Sequence, residues 1–430
     1  GAAGGLQGAV EMCNNNGACR KLEGGVMCPS FRATHDERDS TRGRANSLRL
    51  ALSGQLGPDA LVSDAMVETM KLCVSCKACK RECPTGVDMA RMKVEVTALR
   101  TEAKGLSVHD WLVANLPRYA PYMAAIAPVI RLRDVLPGAA WLSEKLTGFT
   151  ARRPLPRWQR EWFRDNELPQ TPSKDLALPA AKPPLLLFID SFNRYFEPEN
   201  LRAAIRVLQG AGYDVFTPSP LDSGQPFCCG RTYLSTGLID RARHEAGRLV
   251  ATIAPFARAG IPIVGLEPSC TLALRDEIPA LLNNQDAKDV ASATLTFEEL
   301  LARDKPNLSL RSNKARALLH GHCHQKAFDA VRPIEEVLSW IDGLEIEKIE
   351  TSCCGMAGAF GYGADSFDVS MKMANADLLP RIREASPDTI IIADGTSCRC
   401  QIKDGTKRDA KHVAILLDEL MKAANLNPKT

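Results

Sequence analysis

The sequence predicts an α+β multi-domain chain: a mostly helical, cysteine-rich region followed by a duplicated α/β unit. Three observations carry this. Seven of the fifteen cysteines fall before residue 84 in closely spaced groups. A stretch rich in aromatic residues and arginine, then in proline, separates them from the rest. Beyond residue 184 the order strand, helix, strand, loop, helix, strand occurs twice, each time around an adjacent Cys-Cys-Gly triplet.

The N-terminal region, 1–105, is expected to be a ferredoxin-like iron–sulfur domain. Residues 73–84 read Cys73-x2-Cys76-x2-Cys79-x3-Cys83-Pro84. Three evenly spaced thiolates on a tight loop reach three corners of one cubane, while the cysteine before proline ligates the other cluster. The second group lies upstream at Cys13, Cys19 and Cys28, the last followed by Pro29, with Asn16 where a further cysteine would stand. Crossed ligation then assigns Cys28, Cys73, Cys76 and Cys79 to one 4Fe–4S cluster. It leaves Cys13, Cys19 and Cys83 at a three-thiolate site. That site suits either a 3Fe–4S cluster or a labile 4Fe–4S cluster whose open iron meets Asn16, water or His35. Zinc is the competing reading, although zinc sites use two separated pairs rather than an even triplet ending in Cys-Pro. Arg42 and Arg44 open a helix capped by Ser40 or Thr41 and read as a solvated basic turn.

Residues 106–183 are expected to hold amphipathic helices and a linker. Trp111, Tyr119, Tyr122, Ile126, Ile130 and Trp141 alternate with Arg118, Arg131 and Arg133. Such a stretch either lies on an anionic membrane surface or packs on the cluster domain or a partner subunit. Pro154, Pro156, Pro169, Pro172, Pro179 and Pro183 then mark a linker over 149–183.

The first α/β repeat is placed at 184–305. Its elements are a strand over 185–190, a helix over 198–211, a strand over 214–217, Cys228-Cys229-Gly230, a helix over 236–259 and a strand over 261–266. The second, at 306–430, has strand 317–322, helix 332–341, strand 344–350, Cys353-Cys354-Gly355, helix 365–385 and strand 389–393, with helix 411–423 closing the chain. Cys323, Cys353, Cys354, Cys398 and Cys400 all fall at strand ends or on the following loops, where open α/β sheets collect ligands. They are candidates for a cluster or metal site. The first repeat is degraded: Ser191 stands near the place of the leading cysteine, leaving Cys228, Cys229 and Cys270 as either vestigial or part of a shared site. His320, His322 and His324 alternate beside Cys323, so a single histidine in a supporting role is expected. His35 and His412 read as surface or cap residues.

Composition bounds the function. Fifty-four basic and 51 acidic residues give a net charge of +3 with no basic stripe, which argues against nucleic acid. Clustered cysteines without a signal peptide indicate a reducing, cytoplasmic setting. No apolar run reaches the ~20 residues that span a bilayer. The start Gly-Ala-Ala-Gly-Gly suggests a piece of a longer polypeptide.

The motifs together resemble the iron–sulfur half of FAD-linked D-2-hydroxy-acid dehydrogenases of the D-lactate and D-2-hydroxyglutarate type. The resembling stretches are Cys28-Pro-Ser-Phe-Arg-Ala-Thr-His-Asp-Glu, Ser40-Thr-Arg-Gly-Arg-Ala, the 73–84 run, Ser191-Phe-Asn-Arg-Tyr-Phe-Glu-Pro-Glu, Gly321-His-Cys-His-Gln-Lys, Cys353-Cys-Gly-Met-Ala-Gly and Gly395-Thr-Ser-Cys398-Arg. The twin-cysteine part is similar to those of heterodisulfide reductase, the glycolate oxidase iron–sulfur subunit and the iron–sulfur subunit of anaerobic glycerol-3-phosphate dehydrogenase. That wider group ends Cys-x2-Cys, where this chain has Cys398-Arg-Cys400. The resemblance implies an FAD-binding dehydrogenase domain, upstream or on a partner subunit, that oxidises a D-2-hydroxy acid. This chain would pass the electrons to a quinone or a soluble carrier, with peripheral contact at the membrane as one way of meeting a quinone. No Gly-x-Gly-x-x-Gly fingerprint or Walker loop is present. The rival readings are thiol–disulfide catalysis at Cys353-Cys354 and a zinc-stabilised docking scaffold.

Overall fold

A computed structural model describes residues 4–171, 181–219 and 225–426. The cysteine-rich region is built from short helices, among them Pro29–Thr34, Thr41–Leu52, Asp64–Lys71, Ala78–Glu82 and Met89–Lys104. Ser40 caps the second of these, its Oγ accepting from the Gly43 N–H at 2.9 Å. Val10, Phe31, Leu48, Met66, Met70 and Met92 form the core here, and that core runs on into Leu318, Ile349, Met356 and Ile391. The cluster region and the second α/β unit therefore share one apolar interior.

Two parallel sheets follow. β1 (Pro184–Phe188), β2 (Asp214–Phe216), β3 (Ile263–Gly265) and β4 (Thr294–Thr296) lie in the order β2-β1-β3-β4. β5 (Arg316–Leu319), β6 (Glu345–Lys348) and β7 (Ile390–Ile392) lie as β6-β5-β7. In both, the first strand takes the second on one side and the third on the other; Leu186 pairs Phe216 and Ile263, as Ala317 pairs Ile346 and Ile390. The runs Leu185–Phe188 and Ile390–Ile392 are apolar on both faces, as parallel strands covered by helices require. Helices Pro198–Gly210 and Val413–Leu426 pack together, so Leu187, Leu208, Leu319 and Leu416 belong to one core shared by both sheets.

The differences from the sequence expectation have local causes. The helix anticipated over 236–259 begins at Ile239, because Gly237 turns left-handed (φ 80°) against Thr97. The one anticipated over 365–385 breaks at Asp377 into Phe367–Ala376 and Leu378–Glu384; the ring of Pro380 would clash with the Ala376 carbonyl. β4 and the helices between residues 268 and 304 extend the first sheet and were not anticipated.

Helix Val108–Ala125 packs Ala120 and Ala124 against Trp158, Tyr195 and Phe196, and Ala114 against Tyr233 and Ala242. Its covered face thus meets the first α/β unit, with Val94 of helix Met89–Lys104 packed beside Ala114. Trp111, Tyr122, Val129, Val135, Trp141 and Leu146 remain exposed. Part of the expected linker is anchored, since Phe163 and Leu168 are buried; Pro172 and Pro179 lie outside the described residues. Among the described residues, no helix is long and apolar enough to cross a membrane.

Candidate iron–sulfur and twin-cysteine sites

Cys28, Cys73, Cys76 and Cys79 line one cavity, together with Met27, Pro29, Thr41, Ser75, Lys77 and Met89. Two segments some 45 residues apart are joined here in the combination that crossed ligation requires. The loop achieves this through Ser75 and Lys77, both left-handed (φ 50° and 61°) between the cysteines they separate. Such backbone is uncommon for residues with a side chain and gathers at functional sites.

Buried cations surround this cavity. Arg44 has no exposed surface; its Nη1 lies 3.8 Å from Cys28 Sγ, 3.1 Å from Ser30 Oγ and 2.7 Å from the Asp39 carbonyl. The sequence reading of Arg44 as a solvated basic turn is corrected: it sits on the helical face of Leu48 and Ala51, a periodicity that would have revealed it. Arg42 instead offers its backbone N–H to Cys19 Sγ at 3.4 Å and its side chain to Glu37 at 2.7 Å. Lys77, 3% exposed, pairs with Asp276 and also with Glu277 at 3.0 Å. Lys80 and Arg91 reach the same Asp276 at 2.6 and 2.7 Å. Burial pushes the thiols of Cys76 and Cys79 well up. Four soft sulfur donors around one cavity with buried positive charge beside it fit an iron–sulfur cluster.

Asn16 Nδ2 lies 4.0 Å from Cys83 Sγ, and its Oδ1 accepts from the Ala18 N–H at 2.9 Å. Cys13 and Cys19 both lie within reach of the Arg42 charge. His35 is exposed at the end of helix Pro29–Thr34.

The two Cys-Cys-Gly loops share a local geometry. Gly230 (φ 77°) donates its N–H to Cys228 Sγ at 3.4 Å, and Gly355 (φ 81°) does the same to Cys353 Sγ at 3.4 Å. In the first unit Cys229 Sγ is 3.3 Å from Cys270 Sγ. In the second, Cys323 adjoins Cys353, and Cys354 adjoins Cys398. Cys400 faces Tyr362 rather than this group, and burial pushes its thiol up to about 12. The half-buried Arg231 stands between the two units, close enough to Cys229, Cys270 and Cys323 for their charges to interact.

The histidines separate because β5 stops at Leu319 and a helix starts at Cys323. His322 Nδ1 accepts from the His324 N–H at 3.1 Å as a cap. His324 Nε2 lies 3.1 Å from the Ser75 carbonyl and Nδ1 3.4 Å from Arg231. His320 lies with Cys354 and Cys398, one donor atom of each within 4.8 Å of the others. His412 is fully buried, not superficial, and caps Ala414 at 3.1 Å.

The cavity and the twin-cysteine group are neighbours. Cys76 and Cys353 interact electrostatically, Ser352 Oγ donates to the Val26 carbonyl, and His324 holds Ser75 from the other side.

Residues 9–87 match a 4Fe-4S dicluster domain. The class of the N-terminal region is thereby that of an iron–sulfur protein. Over most of its length the chain is homologous to dehydrogenases or their iron–sulfur subunits. It is 25% identical to a D-2-hydroxyglutarate dehydrogenase of Pseudomonas putida, across 93% of this chain and 42% of that one. It is 26% identical to the C subunit of the anaerobic glycerol-3-phosphate dehydrogenase of Escherichia coli, across 73% of this chain and 78% of that subunit. The glycolate oxidase iron-sulfur subunit of Escherichia coli is 23% identical across 92% of this chain and 91% of that subunit. The chain spans about two-fifths of the length of the D-2-hydroxyglutarate dehydrogenases it matches.

Proposed function

We propose that this chain is the electron-relaying iron–sulfur part of an FAD-linked D-2-hydroxy-acid dehydrogenase, serving a flavin domain or subunit that performs the oxidation. The observation that carries this is the cavity lined by Cys28, Cys73, Cys76 and Cys79, set directly against the group around Cys353. Cys28, Cys73, Cys76 and Cys79 would hold a 4Fe–4S cluster, and Cys13, Cys19 and Cys83, with Asn16 beside them, a second one short of a thiolate. Cys323, Cys353, Cys354 and Cys398 would hold a third iron–sulfur group. Bound clusters supply one-electron steps; the chain supplies thiolate ligands, buried cations that offset their charge, and exclusion of water. The domain limits that suit this reading are 1–105, 106–183, 184–305 and 306–430. The exposed apolar face of residues 111–146 is the surface offered to the flavin partner, and the acceptor is a quinone or a soluble carrier in the cytoplasm.

Thiol–disulfide catalysis fits less well. Cys353 and Cys354 are 3% and 4% exposed, out of reach of a small disulfide, and the neighbouring Cys323 pushes the Cys353 thiol up to about 12. The test is anaerobic purification with iron, sulfide and zinc analysis and EPR, followed by reduction by a D-2-hydroxy acid once the flavin partner is added. Zinc in place of iron would end this reading.

A further inference from the structure

In the second twin-cysteine group one donor is not a thiol. His320 is 1% exposed, and its Nε2 has no hydrogen-bond partner. A donor atom of His320 and the sulfurs of Cys354 and Cys398 lie within 4.8 Å of one another, all three residues buried. Buried ring nitrogens are rarely left unpaired. The opposite nitrogen is engaged: Nδ1 lies 3.2 Å from Thr351 Oγ1, which Lys326 Nζ reaches at 2.7 Å. A hydroxyl oxygen has two lone pairs, so Thr351 can accept from both Lys326 and the Nδ1–H. With Thr351 accepting from the Nδ1–H, the lone pair on Nε2 is free toward Cys354 and Cys398, the tautomer that ligation through Nε2 requires. A ring whose far nitrogen is held by an outer hydrogen bond while the near one faces thiolates is the usual setting of a metal-binding histidine.

We infer that His320 ligates the iron–sulfur group of the second unit through Nε2, in the place that Cys400 does not fill. Helix Thr396–Thr406 turns by about 200° between Cys398 and Cys400, so both thiols cannot face one centre. The inference rests on the proposed reading that this unit holds an iron–sulfur group, and it deepens that reading. A neutral imidazole in place of a thiolate removes one negative charge from the centre and raises its potential. The twin-cysteine group is then the electron-accepting end relative to the all-thiolate cavity beside Cys76, which gives the relay a direction.

The test uses the full chain, assembled anaerobically with 15N-histidine and with unlabelled histidine, and pulsed EPR of the reduced protein. The expected result is the strong coupling of a directly bound nitrogen, changing from the 14N to the 15N pattern on labelling. It should vanish in His320→Cys, which keeps its iron at a lower midpoint potential, and persist in His35→Ala. The double variant Cys353→Ala, Cys354→Ala should lose both that coupling and part of the iron. Iron lost in the double variant, but no directly bound nitrogen in the wild type or an unchanged coupling in His320→Cys, would overturn the ligation and leave the relay reading standing. Iron unchanged in the double variant would overturn the cofactor of this unit, and the ligation with it. The labelled wild type gives the answer without any substitution.

Discussion

Arg44 holds its guanidinium 3.8 Å from the sulfur of Cys28 with neither group exposed to water beyond a few per cent. The same guanidinium lies 3.7 Å from the Asp39 carboxylate and donates from Nε to the Thr69 carbonyl at 2.9 Å. One buried cation therefore ties the cluster loop, the capping turn and a neighbouring helix together.

Replacing it in Arg44→Met leaves Asp39 buried without its partner. The expected loss is about 3–5 kcal/mol of stability, the usual effect of breaking a buried pair from one side. The midpoint potential of the cluster near Cys28 should also fall, because a positive charge beside its ligand is gone. Urea unfolding and an EPR-monitored redox titration read the two effects separately. A potential that does not move would show that Arg44 is structural only.

Asn16→Cys should complete the second site. Asn16 Nδ2 already lies 4.0 Å from Cys83 Sγ, so a thiol there has a neighbouring ligand to join. The expected gain is about one iron per chain, with any three-iron EPR signal replaced by that of a cubane. Unchanged iron content would mean that the open corner does not face Asn16.

Asp276 gathers Lys77, Lys80 and Arg91. Burial alone would raise its pKa, but these three cations hold it well below the usual carboxylate range. Because the folded value is the lower one, its contribution to stability is present above about pH 4 and is lost as the pH falls below that. Asp276→Asn should cost about 3 kcal/mol at pH 7 and leave the buried Lys77 with Glu277 as its one remaining carboxylate partner. In urea melts the gap between wild type and variant should narrow as the pH is lowered from 5 to 2. A constant gap would assign the loss to packing instead.

Gly355→Ala and Gly358→Ala form a matched pair. Both glycines have positive φ, but a Cβ at Gly355 would collide with the Ser370 carbonyl oxygen, whereas one at Gly358 meets nothing within 4 Å. Gly358→Ala should cost about 1 kcal/mol, the penalty of the left-handed conformation alone. Gly355→Ala should cost several-fold more and lower the iron bound at the twin-cysteine group. Thermal unfolding and iron analysis compare them; equal losses would remove the close approach as the reason for glycine.

Much of this was legible in the sequence because it is local. The spacing Cys73-x2-Cys76-x2-Cys79 and the proline after Cys28 are rules of one loop, and the structure places those four around one cavity. The apolar runs at Leu185–Phe188 and Ile390–Ile392 likewise announce buried parallel strands. What stayed hidden depends on distant partners. Asp276 looks like any helix-end carboxylate until Lys77 folds onto it from 199 positions away. His320 looked like one of three alternating histidines until β5 ended and turned each ring to a different neighbour. Cys400 matched the pattern of a ligand by number, but helical geometry turns it to Tyr362.

Lys77 stands between two cysteines of the cluster loop, and its ammonium is sealed against Asp276 and Glu277 of the first α/β unit. A ferredoxin passed between proteins as a free-standing cassette carries no interior charge whose counterpart lies on another cassette. Here excision of the N-terminal region would strand a lysine on one fragment and two carboxylates on the other. The electron-carrying head and the twin-cysteine body are bound to descend together, and a functional chimera between relatives would have to exchange residues 77, 276 and 277 as a set.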